Sequence, residues 1–339
     1  MNKGALEGTA RAMVPAGKGI LAADESTGTI RKRFTAVGIA DTEENRRAYR
    51  EMLFTTPGME DYISGVILFD ETLRQSAGEG TPFPALLAAK GILPGIKPDR
   101  GAKDMAGHPS EKVTEGLDGL RERLAEYRDL GVRFGKWRAV ITIGEGLPSL
   151  TCLQANAEAL ARYAALCQEQ GLVPIVEPEV LMDGDHSLER CAEVTELTLR
   201  IVFDRLADHR IHLEGTILKP NMVIPGKGHS HQAASAEVAE ATVSTLLRCV
   251  PAAVPGIVFL SGGQTPQQAT ENLNAINARF PSLPWEISFS YGRALQDEAL
   301  RAWLGQREKT PAAQAAFYHR ARNVGAARAG RYSTDMEAA

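Results

Sequence analysis

Cysteine is scarce in this chain. Four occur in 339 residues (Cys152, Cys167, Cys191 and Cys249), widely spaced and with no C-x-x-C pair. A zinc–thiolate cluster and a disulfide framework are both unexpected, and a reducing cytoplasm fits. No stretch is apolar and uncharged for the ~18 residues that a membrane helix needs. The first residues, MNKGALEGTARAM, lack the apolar core of a secretory signal. Neither sign of charge is in large excess. Lys and Arg number 38 against 42 Asp and Glu, a net charge of −4, so neither nucleic acid nor an anionic membrane is an expected partner. There is no G-x-x-x-x-G-K-[ST] phosphate loop. The first strand-like run ends in AADESTG, without the G-x-G-x-x-G turn of a dinucleotide-binding sheet. His229 and His231 stand close together, but in the polar loop PGKGHSHQ. A solvated loop is the simpler reading, and no metal is expected.

What the chain does have is alternation. Hydrophobic residues make up 44% and charged residues 24%, enough apolar content for a large core without staples. Eight strand-like runs stand at Gly19–Asp24, Tyr62–Asp70, Ile92–Asp99, Phe134–Ile143, Leu172–Val180, Glu214–Val223, Gly256–Gly263 and Trp285–Arg293. Helical stretches separate most of them. Thr151-x-x-Gln154 has the pattern of a capping box before a helix stopped at Gly171. Thr265-Pro266-Gln267-Gln268 starts another helix, and Leu117, Leu120, Leu124 and Tyr127 mark a third, ended by Gly131. Eight strands alternating with helices predict a parallel α/β fold, closed as a (β/α)8 TIM barrel over residues 1–304. Residues 305–339 show no strand pattern and predict a helix followed by a mobile tail.

The position of charge within the runs is the informative feature. A barrel strand buried on both faces should be apolar. Yet Asp24, Lys97, Lys136 with Arg138, Glu177 with Glu179, Lys219, Ser261 and Arg293 fall at the carboxyl ends of the runs. In a barrel those ends share one face, where catalytic groups gather. Glu177 and Glu179 are two apart, so they share a side of their strand. Two adjacent carboxylates repel, and one pKa is expected to rise. Lys219 lies inside an apolar strand, where burial and Lys136 would both favour a neutral amine able to form a Schiff base. A lysine with a solvated head crossing the barrel rim fits the spacing equally well. Ser261-Gly262-Gly263 and Ser290-Tyr291-Gly292-Arg293 end the seventh and eighth runs, the usual place for a phosphate site in a barrel.

These residues resemble class I (Schiff-base) fructose-bisphosphate aldolase. The likeness runs from GKGILAADESTGTI to FSYGRALQ. Between them stand TEENRRAYREMLFTTPG, GVILFDETL, LPGIKPDRG, FGKWRAVITI, PIVEPEVL, GTILKPNMV, FLSGGQ and NLNAIN, in family order. The resemblance implies that Lys219 forms the Schiff base. It implies that Glu177 handles protons during carbinolamine dehydration with Glu179 as electrostatic partner, and that Asp24 takes the C4 hydroxyl proton. Lys136 and Arg138 would line the site. Ser261, Gly262, Gly292 and Arg293 would hold the C1 phosphate, and Ser26, Thr29 and Lys97 the second phosphate. Sugar phosphates as substrates, no cofactor, a cytoplasmic enzyme and a homotetramer are further implications.

The chain departs from the family in two places. Pro98 replaces the commoner residue in IKPDRG, and the end reads DMEAA without a terminal tyrosine. Tyr332 is the remaining aromatic near the end, a candidate substitute within a tail expected to add little to stability. Two other readings stay open on sequence alone: a Schiff-base lyase for another phosphorylated ketose, and a silent scaffold of this fold.

Overall fold

A computed structural model describes residues 2–338; Met1 and Ala339 lie outside the described residues. Eight parallel strands close a barrel: β1 (Gly19–Ala23), β2 (Ile63–Leu68), β3 (Leu93–Ile96), β6 (Phe134–Ile141), β7 (Val173–Val180), β8 (Ile217–Leu218), β9 (Gly256–Phe259) and β10 (Glu286–Tyr291). Between β3 and β6 an antiparallel pair, β4 (Ala102–Asp104) and β5 (Lys112–Thr114), forms a small hairpin. The barrel order matches the eight predicted runs, and the ring closes where β1 pairs with both β2 and β10.

The strands are buried along most of their length, Arg138 and Glu286 excepted, because helices cover their outer face and side chains fill their inner one. Ile20, Ile67, Phe134, Val173, Ile175, Ile217 and Val258 form the lower interior, with Leu6, Ala10 and Met13 of the N-terminal helix Lys3–Met13, and Val14 just after it, packed against them. That helix plugs the amino-terminal end of the barrel. At Gly95 the Phe134 ring comes so close that a Cβ would lie 2.2 Å from it, so this wall position has room only for glycine.

Several boundaries shift for local reasons. The helix expected from Thr151 begins at Leu150 and is capped by Ser149, whose hydroxyl accepts from the Cys152 N–H at 3.1 Å. Ser149 is itself held by the buried carboxylate of Glu111 at the foot of the hairpin, a long-range contact that no capping pattern reveals. The Thr265 box is present as read. The run Glu214–Val223 reduces to the two residues of β8. Pro220 has no N–H to offer a ladder, although the Lys219 N–H still donates to the Val176 carbonyl at 2.8 Å.

The C-terminal segment holds a helix, Thr310–Arg328, packed on the barrel helices. Beyond it Tyr332 is buried, not loosely attached. Its N–H donates to Asn274 Oδ1 at 3.0 Å and its hydroxyl to Glu337 at 2.6 Å. Glu337 also pairs with Arg320, a guanidinium only 1% exposed. Bulky burial and a buried charge therefore depend on these last residues, contrary to the composition of the tail.

Truncation after Gly330 should accordingly destabilise the fold. Removing one partner of a buried pair costs ~3–5 kcal/mol. Glu337 is 23% exposed, so roughly 2–4 kcal/mol is expected here, several degrees in the thermal midpoint. Calorimetry of the truncated chain checks this; an unchanged midpoint would show that the tail packing contributes nothing.

Candidate active site

The carboxyl ends of the barrel strands surround a cavity of about 580 Å³. All thirteen site residues expected from the sequence line it: Asp24, Ser26, Thr29, Lys97, Lys136, Arg138, Glu177, Glu179, Lys219, Ser261, Gly262, Gly292 and Arg293. Strand periodicity explains the grouping. Lys136 and Arg138 alternate inward on β6, as Glu177 and Glu179 do on β7, and β6 pairs with β7 so that Arg138 stands beside Glu177.

At the centre is a chain of alternating charges. The Lys219 ammonium is 3.1 Å from Glu177 Oε1, and Lys136 Nζ is 3.2 Å from Glu177 Oε2. Lys136 also contacts Asp24 Oδ2 at 2.8 Å. All four residues are at least nine-tenths buried. Each cation thus has an anion, and each anion a cation, in a region of low dielectric where an unpaired charge would be costly.

The carboxylate pair behaves differently from the sequence expectation. Glu179 is paired with Arg138, and Glu177 is held between the two lysines. Burial opposes ionisation of Glu177, but Lys136, Lys219 and Arg138 together outweigh it and lower its pKa. Repulsion between the two glutamates is the weaker effect, because each has its own cation. Asp24 follows the same balance. Burial raises its pKa and Lys136, then Lys219, lowers it, for a net fall from 3.8 to about 2. For Lys136 burial opposes the charge, while Asp24 and Glu177 more than restore it and raise its pKa.

Groups suited to anions lie on opposite sides of the mouth. Ser261 follows β9 and Lys97 follows β3, four strands apart in the ring of eight. On one side Gly262 and Gly263 let the backbone turn tightly. A Cβ on Gly263, whose φ is +77°, would lie 2.0 Å from Met182. Gly292 and Arg293 open the helix Arg293–Trp303, whose first-turn N–H groups lack helical partners. On the other side Ser26 and Thr29 bring their hydroxyls within 3.2 Å, and Lys97 rests on Asp99 at 2.5 Å.

Sequence reasoning missed several residues of the wall. Lys32 and Arg33 also line the cavity. They stand three and four residues beyond Thr29 on the helix Thr27–Ala36, a spacing that puts them on its face. Ser290 and Asp99 were legible by period two from Gly292 and Lys97. Ser290 Oγ is buried with no hydrogen-bond partner among the described residues. Glu25 lines the cavity and is held by Arg33 and Arg50. Tyr332 is not in the wall; its hydroxyl is taken up by Glu337. Among the described residues no three His, Cys, Asp or Glu side chains converge as a metal cage. His231 is exposed and His229 half-buried, with His229 Nδ1 2.9 Å from the Asp185 carbonyl.

The family model for fructose-bisphosphate aldolase class-I matches residues 5–339. The chain belongs to the class I fructose-bisphosphate aldolase family. A Xanthomonas campestris pv. campestris protein named "Probable fructose-bisphosphate aldolase class 1" is 61% identical over 325 residues, covering 96% of this chain and 97% of that one. Fructose-bisphosphate aldolase 6, cytosolic, of Arabidopsis thaliana is 54% identical over 321 residues, 95% of this chain and 89% of the other. Among solved structures, the family's Plasmodium falciparum member superposes with a TM-score of 0.96 at 48% identity, covering 98% and 96% of the two chains. No described helix is long and apolar enough to cross a membrane.

The depressed pKa of Asp24 gives a signed prediction. The unfolded carboxyl titrates near 3.8 and the folded one near 2. Its stabilisation is therefore complete above the higher value and is lost as pH falls through the lower. A shift of that size corresponds to about 2 kcal/mol. The stability gap between wild type and Asp24→Asn, read from urea midpoints, should shrink by about that amount between pH 5 and pH 2. A gap independent of pH would contradict the pairing.

Proposed function

We propose that this chain, a class I fructose-bisphosphate aldolase, cleaves fructose 1,6-bisphosphate reversibly through an imine on Lys219. The products are dihydroxyacetone phosphate and glyceraldehyde 3-phosphate. The observation that carries the reading is one buried carboxylate, Glu177, shared by two amines, one of which also holds Asp24.

The roles follow from these contacts. Glu177 is ionised in the free site, so it can take a proton from Lys219 across 3.1 Å. The neutral amine then adds to the C2 ketone. The same proton, returned to the carbinolamine hydroxyl, lets water leave and an iminium form. Asp24, held ionised down to low pH, accepts the C4 hydroxyl proton. The C3–C4 bond electrons flow into the iminium as the aldehyde departs. Protonation of the enamine at C3 and hydrolysis release the ketose phosphate and restore Lys219. Lys136 keeps both carboxylates charged and in place. Arg138 neutralises Glu179, whose unpaired charge would otherwise oppose ionisation of Glu177 on the same strand. Ser261, Gly262, Gly292 and Arg293 hold the C1 phosphate, with Ser26, Thr29 and Lys97 at the other end. The imine is the electron sink, so this route needs no metal ion. A cytoplasmic location follows the cytosolic relatives, and residues 1–304 would serve as the catalytic unit.

Borohydride reduction in EDTA with dihydroxyacetone phosphate should fix the substrate to Lys219, as mapped by peptide mass spectrometry. Lys219→Ala should trap nothing, and Lys136→Ala should slow trapping without abolishing it. Label on another lysine, or loss of activity in EDTA with rescue by zinc, would overturn the reading. The chain is also proposed to be a homotetramer, as family resemblance implies. Sedimentation at working concentration should give four chains, and a monomer would refute it.

A further inference from the structure

A second cavity, of about 650 Å³, adjoins the first between the upper ends of β2 and β3, the hairpin and the helix Leu120–Asp129. Ser26, Lys97, Asp99 and Gly101 line both, so the two spaces are adjacent across these residues. The annex carries an uneven charge balance. Its acids are all paired: Arg74 lies 3.1 Å from Asp70 and 2.6 Å from Glu126, and Lys97 rests on Asp99. Three further cations have no counter-charge. Arg123 donates to the carbonyl oxygens of Pro98 and Gly116, which carry no formal charge. Arg100 and Lys103 are exposed, and among the described residues their side chains have no hydrogen-bond or ion-pair partner. On a chain of net charge −4, this is a local excess of positive charge beside a catalytic mouth, an arrangement that concentrates anions.

We propose that the annex is an anion-binding antechamber for the aldehyde phosphate, a three-carbon phosphate monoester that enters and leaves the active site through it. This rests on the reading of the site given above. The annex adjoins Lys97 and Ser26, on the far side of the mouth from Ser261, so it serves the aldehyde end of the substrate and not the imine end. A phosphate passes from Arg100 and Lys103 at the rim to Lys97 within. Asp99 completes the recognition. One of its oxygens holds Lys97 and the Gly101 N–H, while Oδ2 is buried without a partner and can accept from a ligand hydroxyl.

The test is the condensation reaction of the intact enzyme with a double variant, Arg100→Ala with Lys103→Ala. Neither residue lines the active-site cavity. With glyceraldehyde 3-phosphate as acceptor, the apparent KM should rise about three- to tenfold. The KM for dihydroxyacetone phosphate and for unphosphorylated glyceraldehyde should stay at the wild-type value. Added salt should narrow the difference, since exposed charges are screened. An equal change for both aldehydes, or none for either, would overturn the antechamber. Borohydride trapping separates the two levels. Normal trapping with unchanged acceptor kinetics sinks the annex alone. Absent trapping in wild type sinks the site reading and the annex with it.

Discussion

Glu177 is the group on which the active site depends. Two lysines within a buried barrel would repel each other and lose hydration, and a lone carboxylate there would be protonated. Placed between them, Glu177 keeps both amines close. Asp24, just past β1, then extends the series across the barrel through Lys136. The arrangement requires strands β1, β6, β7 and β8 to bring their carboxyl ends to one face, which a closed parallel barrel does by construction. The charges are stable only as a set, and their proximity is also what lets a proton move between them.

The surrounding barrel serves this set by being dense below and open above. The N-terminal helix and Phe134 fill the lower interior, so the polar layer rests on a dry floor. Glycine at 95 admits the Phe134 ring, and glycine at 263 lets the chain turn against Met182. Such positions have no tolerance for a side chain, and they fix where the neighbouring functional groups lie. The anion groups stand on opposite sides of the mouth, which suits a substrate charged at both ends.

Much of this was legible from the chain. Eight apolar runs, most of them carrying a charge or hydroxyl toward the carboxyl end, specify a barrel with its chemistry on one face. Period two placed Glu177 with Glu179 on one side of their strand, and the same alternation brings Lys136 and Arg138 to the cavity. What escaped reading depends on contacts distant in sequence. Glu111 fixes Ser149, and so moves a helix start. Arg50 meets Glu25, and Arg320 meets Glu337, so a tail of small residues becomes part of the fold. The Glu177 pKa is lowered, where spacing alone suggested repulsion, for the same reason. Spacing along one strand shows that two carboxylates are neighbours, but not that each has a cation from the next strand. Lys32 and Arg33 were within reach of a helical-face argument from Thr29 that the strand pattern did not suggest.

In the proposed mechanism Glu177 both receives the proton that frees Lys219 and returns it to expel water. Carbon-13 spectroscopy of dihydroxyacetone phosphate labelled at C2, bound to Glu177→Gln, tests it most directly. Dehydration should become the slow step, with the carbinolamine signal accumulating and the imine signal forming far more slowly than in wild type. Imine formation at the wild-type rate in that variant would contradict it.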